Sequence, residues 1–230
     1  MKAVATIRTG FRSKFGVPRQ SGLVESAKGT IVFEPEYRDP SALRGLEGFS
    51  HIWLIWEFSQ TVRENWSPTV RPPRLGGNMR MGVFATRSPF RPNPLGLSCV
   101  RLEGIDLTSP EGPVIHVSGA DIVDGTPIYD IKPYIPYTDC RPDATGGFTD
   151  NAEMHVLNVV MDNAAAASVP AETLRAIRAI LAQDPRPRYQ QDADRLYSFE
   201  YETYGIRFRV SGNTLTVQNI TDTQYSHETH

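Results

Sequence analysis

Ile52-Trp53-Leu54-Ile55-Trp56-Glu57-Phe58 is an apolar run of strand length, closed off by the polar pair Ser59-Gln60. Runs of the same kind recur on both sides of it: Ala3 to Ile7, Thr30 to Phe33, Met81 to Ala85, Leu97 to Leu107 and Val114 to Val117. Short apolar runs separated by turn residues predict a mainly β body. The 18 glycines and 18 prolines supply the turns and make long helices rare before residue 165. One short helix is expected from Pro40 to Leu46, with Asp39 as its cap and Gly48 after its end. The proline-rich stretch Asn65 to Asn78 reads as a long irregular loop, and loops of that length in compact domains are often functional.

The texture changes after Tyr137-Thr138-Asp139, through a polar, glycine-containing stretch to Asn151. This predicts a first domain over residues 1–140 and a second over 150–230. Ser168 as cap, Pro170 in the first turn, and Leu174, Ile177 and Leu181 on one face predict a helix over 169–183, stopped by Asp184-Pro185-Arg186-Pro187. Ile206, Phe208 and Val210 alternate, Gly212-Asn213 turns, and Leu215 and Val217 alternate again, which is a hairpin pattern. The second domain is therefore expected to be small and α+β.

At 230 residues the chain can bury a real core. The two cysteines, Cys99 and Cys140, have no metal-ligand spacing, which disfavours a disulfide-stapled scaffold or a zinc ribbon and fits a reducing, cytoplasmic setting. The first residues lack the apolar stretch of a signal peptide, and no run approaches a membrane span. The net charge of -2 hides an uneven distribution. Residues 1–24 hold Lys2, Arg8, Arg12, Lys14 and Arg19 with no acid, and residues 65–102 hold Arg71, Arg74, Arg80, Arg87, Arg91 and Arg101 with none either. Two acid-free basic blocks form either a phosphate-binding face or an ordinary solvated surface.

The most unusual segment runs from Gly82 to Ser98. Within it, Pro89, Pro92 and Pro94 stiffen the backbone around Arg87 and Arg91. Proline removes loop entropy in advance, and the planar arginine fork matches phosphate or carboxylate, so this is a preorganised anion site or else a rigid turn with exposed arginines. Phe15-Gly16-Val17-Pro18-Arg19-Gln20 and the stretch from Asp121 to Tyr134 have the same rigid, polar character. In the latter, Asp124 reads as a hydroxyl ligand or base, or as an Asx-turn residue ahead of Gly125. His51 has no ligand-spaced partner and reads as a packed or capping histidine; no metal is expected. The G-x-G-x-x-G, P-loop, G-x-S-x-G and H-E-x-x-H patterns are all missing from the sequence.

These segments, in this order and together with Val70 to Asn78, closely resemble the TrmO family, also called TsaA-like, of S-adenosylmethionine-dependent tRNA methyltransferases. The match runs through about residues 1–140, and Asp184 to Pro187 with the final hairpin resembles the family's C-terminal domain. The resemblance implies a TsaA-like β-barrel methyltransferase domain that works as a homodimer. It also implies a product, an N6-methyl group on the N6-threonylcarbamoyladenosine just 3′ of the tRNA anticodon.

By the same resemblance, the donor S-adenosyl-L-methionine is contacted by Pro18, Arg19 and Gln20, by Arg87 and Leu97, and by the turn Asp124, Gly125, Thr126 and Pro127. The resemblance implies a further donor contact after the aromatic strand, at Ser59 and Gln60, where relatives often have His-Gln. Arg71, Arg74 and Arg91 are expected to meet tRNA phosphates. Methyl transfer from a sulfonium needs alignment more than a strong protein nucleophile, and the carboxylates in the matched motifs that could take the N6 proton are Asp124 and Asp130. The different-class alternatives are a non-catalytic S-adenosylmethionine- or RNA-binding regulatory module, and a methyltransferase acting on another substrate.

Overall fold

The computed structural model describes residues 1–61, 65–72, 79–150, 156–186 and 192–223. In chain order the strands of the first part are β1 (Ala5–Thr9), β2 (Lys28–Phe33), β3 (His51–Glu57), the two-residue β4 (Thr69–Val70) and β5 (Met81–Gly82), β6 (Leu95–Asp106), β7 (Val114–Ser118) and β8 (Thr126–Pro133). Six of them close a barrel in the order β1-β2-β7-β6-β3-β8, with β8 returning to β1. The pairings are antiparallel.

Period-two alternation explains the barrel. Along β3, Ile52, Leu54 and Trp56 are buried while the residues between them are half-exposed. Register brings Ile7 opposite Ile31 and Ile31 opposite Ile115. These side chains fill the interior with Val100, Val117 and Ile128, as a six-strand barrel too narrow for a channel requires. Each fully buried isoleucine or leucine contributes roughly 1.5–3 kcal/mol. β4 and β5 pair separately, at Thr69 with Gly82 and Val70 with Met81.

The second part begins after the short helix α1 (Pro136–Asp139). It comprises β9 (Asn158–Met161), α2 (Asn163–Ala166), α3 (Ala171–Ala182), β10 (Tyr197–Tyr201), β11 (Tyr204–Ser211) and β12 (Thr214–Asp222). The sheet order is β10-β11-β12-β9, with β9 parallel to β12. Gly212, at a φ of 56°, makes the β11–β12 turn at the expected Gly212-Asn213. α3 buries Ile177, Ile180 and Leu181 against this sheet.

The second core is not built from the second part alone. Phe11, Val24 and Ala27, from the long β1–β2 connection, are buried in it beside Tyr201, Phe199 and Ile177. Gly10 and Gly16 lie so close under Tyr201 and Phe199 that a Cβ at either would collide with those rings. The Glu202 N–H donates to the Gly10 carbonyl at 2.7 Å, and Lys28 pairs with Glu172. The connection therefore bridges the barrel and the α+β part.

Three local expectations are corrected. Pro40 to Leu46 is not one helix: two 3-10 turns, Pro40–Leu43 and Leu46–Gly48, are separated by Gly45 in the left-handed region, although Asp39 does accept from the Ser41 N–H as expected. Ser168 does not cap α3, because Pro170 occupies the cap position and leaves the first turn without a side-chain cap. In the run Met81 to Ala85, only Met81–Gly82 is strand and Val83–Ala85 is a 3-10 turn.

Candidate functional site

The β1–β2 connection crosses one end of the barrel and is fastened in two directions. Toward the barrel, Ser21 Oγ accepts from the Cys99 N–H at 3.2 Å, and the Gly22 N–H donates to the Gly119 carbonyl at 2.9 Å. Toward the α+β part, the Phe15 and Phe199 rings meet edge-on, and Arg19 Nη2 lies 3.4 Å from the Asp184 carbonyl. Between these anchors Pro18 is buried, Arg19 is exposed and Gln20 is half-buried.

The loop from Val83 to Leu95 meets this connection. Arg87 donates to the Gln20 side-chain oxygen. The loop holds its shape through its own polar residues: Thr86 Oγ1 bonds the Val83 carbonyl at 2.9 Å, the Ser88 N–H bonds Thr86 Oγ1, and the Phe90 N–H bonds Ser88 Oγ. Arg91 Nη1 donates to the Thr86 carbonyl at 2.8 Å. Arg91, expected to meet phosphates, is half-buried and also braces the loop carrying Arg87.

Beneath the two loops lies a chain of hydrogen bonds that starts in the barrel interior. Trp56 Nε1 donates to Ser98 Oγ at 2.9 Å, and Ser98 Oγ donates to Asp121 Oδ1 at 2.6 Å. Burial pushes the Asp121 carboxyl up to about 6, while the Ser98 hydroxyl, backbone N–H groups and the charge of Arg87 hold it back from going further. The adjacent Gly96 has no side chain because the Trp56 indole lies where a Cβ would be. Leu97, on the outer face of the same strand, is 59% exposed, and Phe84 and Trp66 are exposed as a ring pair 6.3 Å apart.

The turn Asp124, Gly125, Thr126 and Pro127 clips β8 to the end of β1. Asp124 Oδ1 accepts from the Thr9 N–H at 2.9 Å, the Gly125 N–H donates to the Ile7 carbonyl, and Thr126 Oγ1 donates to the Val123 carbonyl. Gly125 has a φ of 74°, which explains a glycine there. Asp130 lies on β8, where its carboxylate accepts from the Ile131 N–H and pairs with Lys132 at 3.1 Å. Both carboxylates already have polar partners within the fold.

Ser59 and Gln60 lie in a 3-10 turn, both exposed, with the Gln60 carbonyl accepting from Lys14 Nζ at 2.6 Å. Arg71 is exposed. Arg74 and Pro187 lie outside the described residues. His51 bonds Ser50 Oγ and its ring meets Tyr134. Among the described residues no group of three His, Cys, Asp or Glu side chains gathers as a metal site, and no helix is long and apolar enough to cross a membrane. Asp121 was visible in sequence only as the first residue of a rigid motif; nothing local marked its burial.

A closed antiparallel barrel whose end loops bring together an arginine, an amide and a half-buried carboxylate, backed by an α+β part, defines a two-part β-barrel protein with a polar ligand site. The tRNA-methyltransferase O N-terminal domain model matches residues 6–140, and the TrmO C-terminal domain model matches residues 152–223. The tRNA (adenine(37)-N6)-methyltransferase of Escherichia coli K12 is 42% identical over 217 residues, 90% of this chain and 92% of that protein. A Pseudomonas aeruginosa protein named "Putative S-adenosylmethionine-dependent methyltransferase RcsF" is 43% identical over 194 residues, 82% of each. A crystal structure of TrmO from Pseudomonas aeruginosa superposes with a TM-score of 0.77 at 33% identity, covering 96% of this chain and 95% of that one. The chain belongs to the TrmO family.

Proposed function

We propose that this protein is a tRNA methyltransferase that transfers a methyl group from S-adenosylmethionine to N6 of N6-threonylcarbamoyladenosine at tRNA position 37, working as a homodimer in the cytoplasm. The carrying observation is the family match across both parts of the chain to proteins named for the adenine-37 reaction. The donor itself is supported by the relative named as S-adenosylmethionine-dependent.

The residues fit the donor's chemistry. Arg87 and Gln20, bonded to each other at the barrel end, offer guanidinium and amide N–H groups to a carboxylate or to ribose hydroxyls. Leu97, exposed on β6, offers apolar surface to an adenine ring. Pro18, Arg19 and the turn from Asp124 to Pro127 complete the donor contacts in this reading. The donor supplies an electrophilic methyl group on sulfur.

The chain's own task is alignment. The Thr86–Ser88–Arg91 braces fix the loop, and the Trp56–Ser98–Asp121 chain fixes the strand beneath it, so little reorganisation remains when substrates bind. As the N6–CH3 bond forms, the S–CH3 bond breaks, S-adenosylhomocysteine leaves, and the proton of the urea-like nitrogen passes to a base, for which Asp124 and Asp130 are the candidates in this reading. Leu97, Phe84 and Trp66 are exposed, and a second copy of the chain covering them would remove apolar surface that a lone chain leaves in water.

Incubation of purified protein with S-adenosylmethionine carrying a labelled methyl group tests this reading, using tRNA with and without the threonylcarbamoyl group. Label should enter only the modified tRNA, and light scattering should give twice the chain mass. Label in both tRNAs, or in neither, contradicts the substrate. An active monomer contradicts the dimer.

A further inference from the structure

Arg19 reaches across to a place in the second part where the backbone is forced. Asp184 has a φ of 49°, and among the described residues it shares this left-handed conformation with a single other non-glycine residue, Glu202. A chain that only needed to end α3 would use glycine there. Instead Arg186 grips the aspartate with both arms of its guanidinium, Nε to Oδ1 at 2.8 Å and Nη2 to Oδ2 at 3.0 Å, and packs against the Tyr197 ring.

The two side chains of this pair are 11% and 19% exposed, against at least 43% for each side chain in the other described ion pairs. A guanidinium so enclosed, with its fork already filled, is a poor ligand for an RNA phosphate. What the arrangement presents outward is the Asp184 carbonyl, and the group facing it is Arg19. The same connection is gripped again at Phe15 and Gly16, which sit against Phe199.

We propose that Asp184 and Arg186 are positioning residues for the methyl-donor site, holding the loop Pro18-Arg19-Gln20 in its binding shape from the second part of the chain. This rests on the reading of that loop as a donor contact. The α+β part then acts as a template on which the donor loop is formed, and Gln20 is delivered to Arg87 by contacts that lie outside the barrel.

The test uses the full chain with Arg186→Ala, Arg186→Lys and Asp184→Asn, each checked by circular dichroism and thermal melting. Calorimetry gives donor Kd, steady-state kinetics give donor KM and kcat, and filter binding gives tRNA Kd. Misplacing a loop by a fraction of an ångström weakens binding through geometry, so donor Kd and KM should rise about tenfold in Arg186→Ala, with kcat at saturating donor nearly unchanged. tRNA Kd should stay within about twofold, and Asp184→Asn, which keeps one acceptor and tolerates the backbone, should recover part of the loss. Arg186→Ala should add little to Arg19→Ala, because both act through one loop.

Weakened tRNA binding with donor Kd unchanged overturns the proposal and makes the pair an RNA contact. Folded variants with both affinities unchanged overturn it as well, leaving a helix stop. Arg186→Lys keeps the charge without the fork and is read the same way should the alanine variant fail to fold. Absence of donor binding in the wild-type protein overturns the parent reading, whereas wild-type binding that the variants preserve overturns this one alone.

Discussion

Ser98, fully buried on β6, donates its hydroxyl proton to Asp121 at 2.6 Å and so ties the strand beneath the candidate site to a carboxyl held near a pKa of about 6. An acid whose folded value lies above its ordinary 3.8 is protonated preferentially in the native state. Its contribution to stability is therefore fully present below pH 4 and is lost as pH rises through 6, a cost at neutral pH on the order of 2–3 kcal/mol. Asp121→Asn, which still accepts from Ser98, should melt roughly 5–10 °C higher at pH 7.5 and show no gain at pH 3.5. Methyl transfer should fall in the same variant, because Arg87 loses the negative charge it faces. A variant no more stable at pH 7.5 would show that the carboxyl is not strained.

Arg87 is held at Gln20 by a loop stiffened with proline and hydroxyl bonds, so its guanidinium plane is fixed. Lysine has neither the fork nor the plane. Arg87→Ala and Arg87→Lys should both lose on the order of 2 kcal/mol of transition-state binding, about thirtyfold in kcat/KM, with the fold intact. Single-turnover assays at saturating tRNA measure this, and near-wild-type activity in Arg87→Lys would reduce the residue to a structural or simple electrostatic role.

Gly96→Ala should destabilise the barrel by about 1–3 kcal/mol, since the new methyl group collides with the Trp56 indole that donates to Ser98. The midpoint of denaturant unfolding reads the change. An unchanged midpoint would mean that the indole moves aside freely.

Much of this fold is legible in local pattern, and the limits are physical. Alternation along Ile52 to Phe58 and around Gly212-Asn213 is a property of neighbouring residues, and both elements stand where it puts them. Barrel closure is different: β3 pairs with β6 and β8, dozens of residues away, through register that no local signal encodes. Phe11, Val24 and Ala27 belong to the far core for the same reason. The site divides along this line. Arg87 and Gln20 stand out by motif, whereas Asp121 becomes chemically distinct only once Trp56 and Ser98 are folded over it. Arg91 stands out in sequence as readily as Arg87, and its bond to the Thr86 carbonyl becomes visible only in the folded loop.

The acid-free block of residues 65–102 should govern tRNA affinity through counterion release. Arg71→Glu and Arg74→Glu together should weaken tRNA binding and flatten its salt dependence, with donor Kd unchanged. Filter binding across a salt series reads both effects. Affinity indifferent to salt and to the reversals would place the RNA on another face.

The central claim, methylation of the hypermodified adenosine at tRNA position 37, is tested most directly by mass spectrometry of tRNA nucleosides from cells with and without this gene. N6-methyl-N6-threonylcarbamoyladenosine should be present with the gene, absent without it and restored by the wild-type chain, with the unmethylated nucleoside accumulating in its place. A nucleoside profile identical in the two strains would contradict the account.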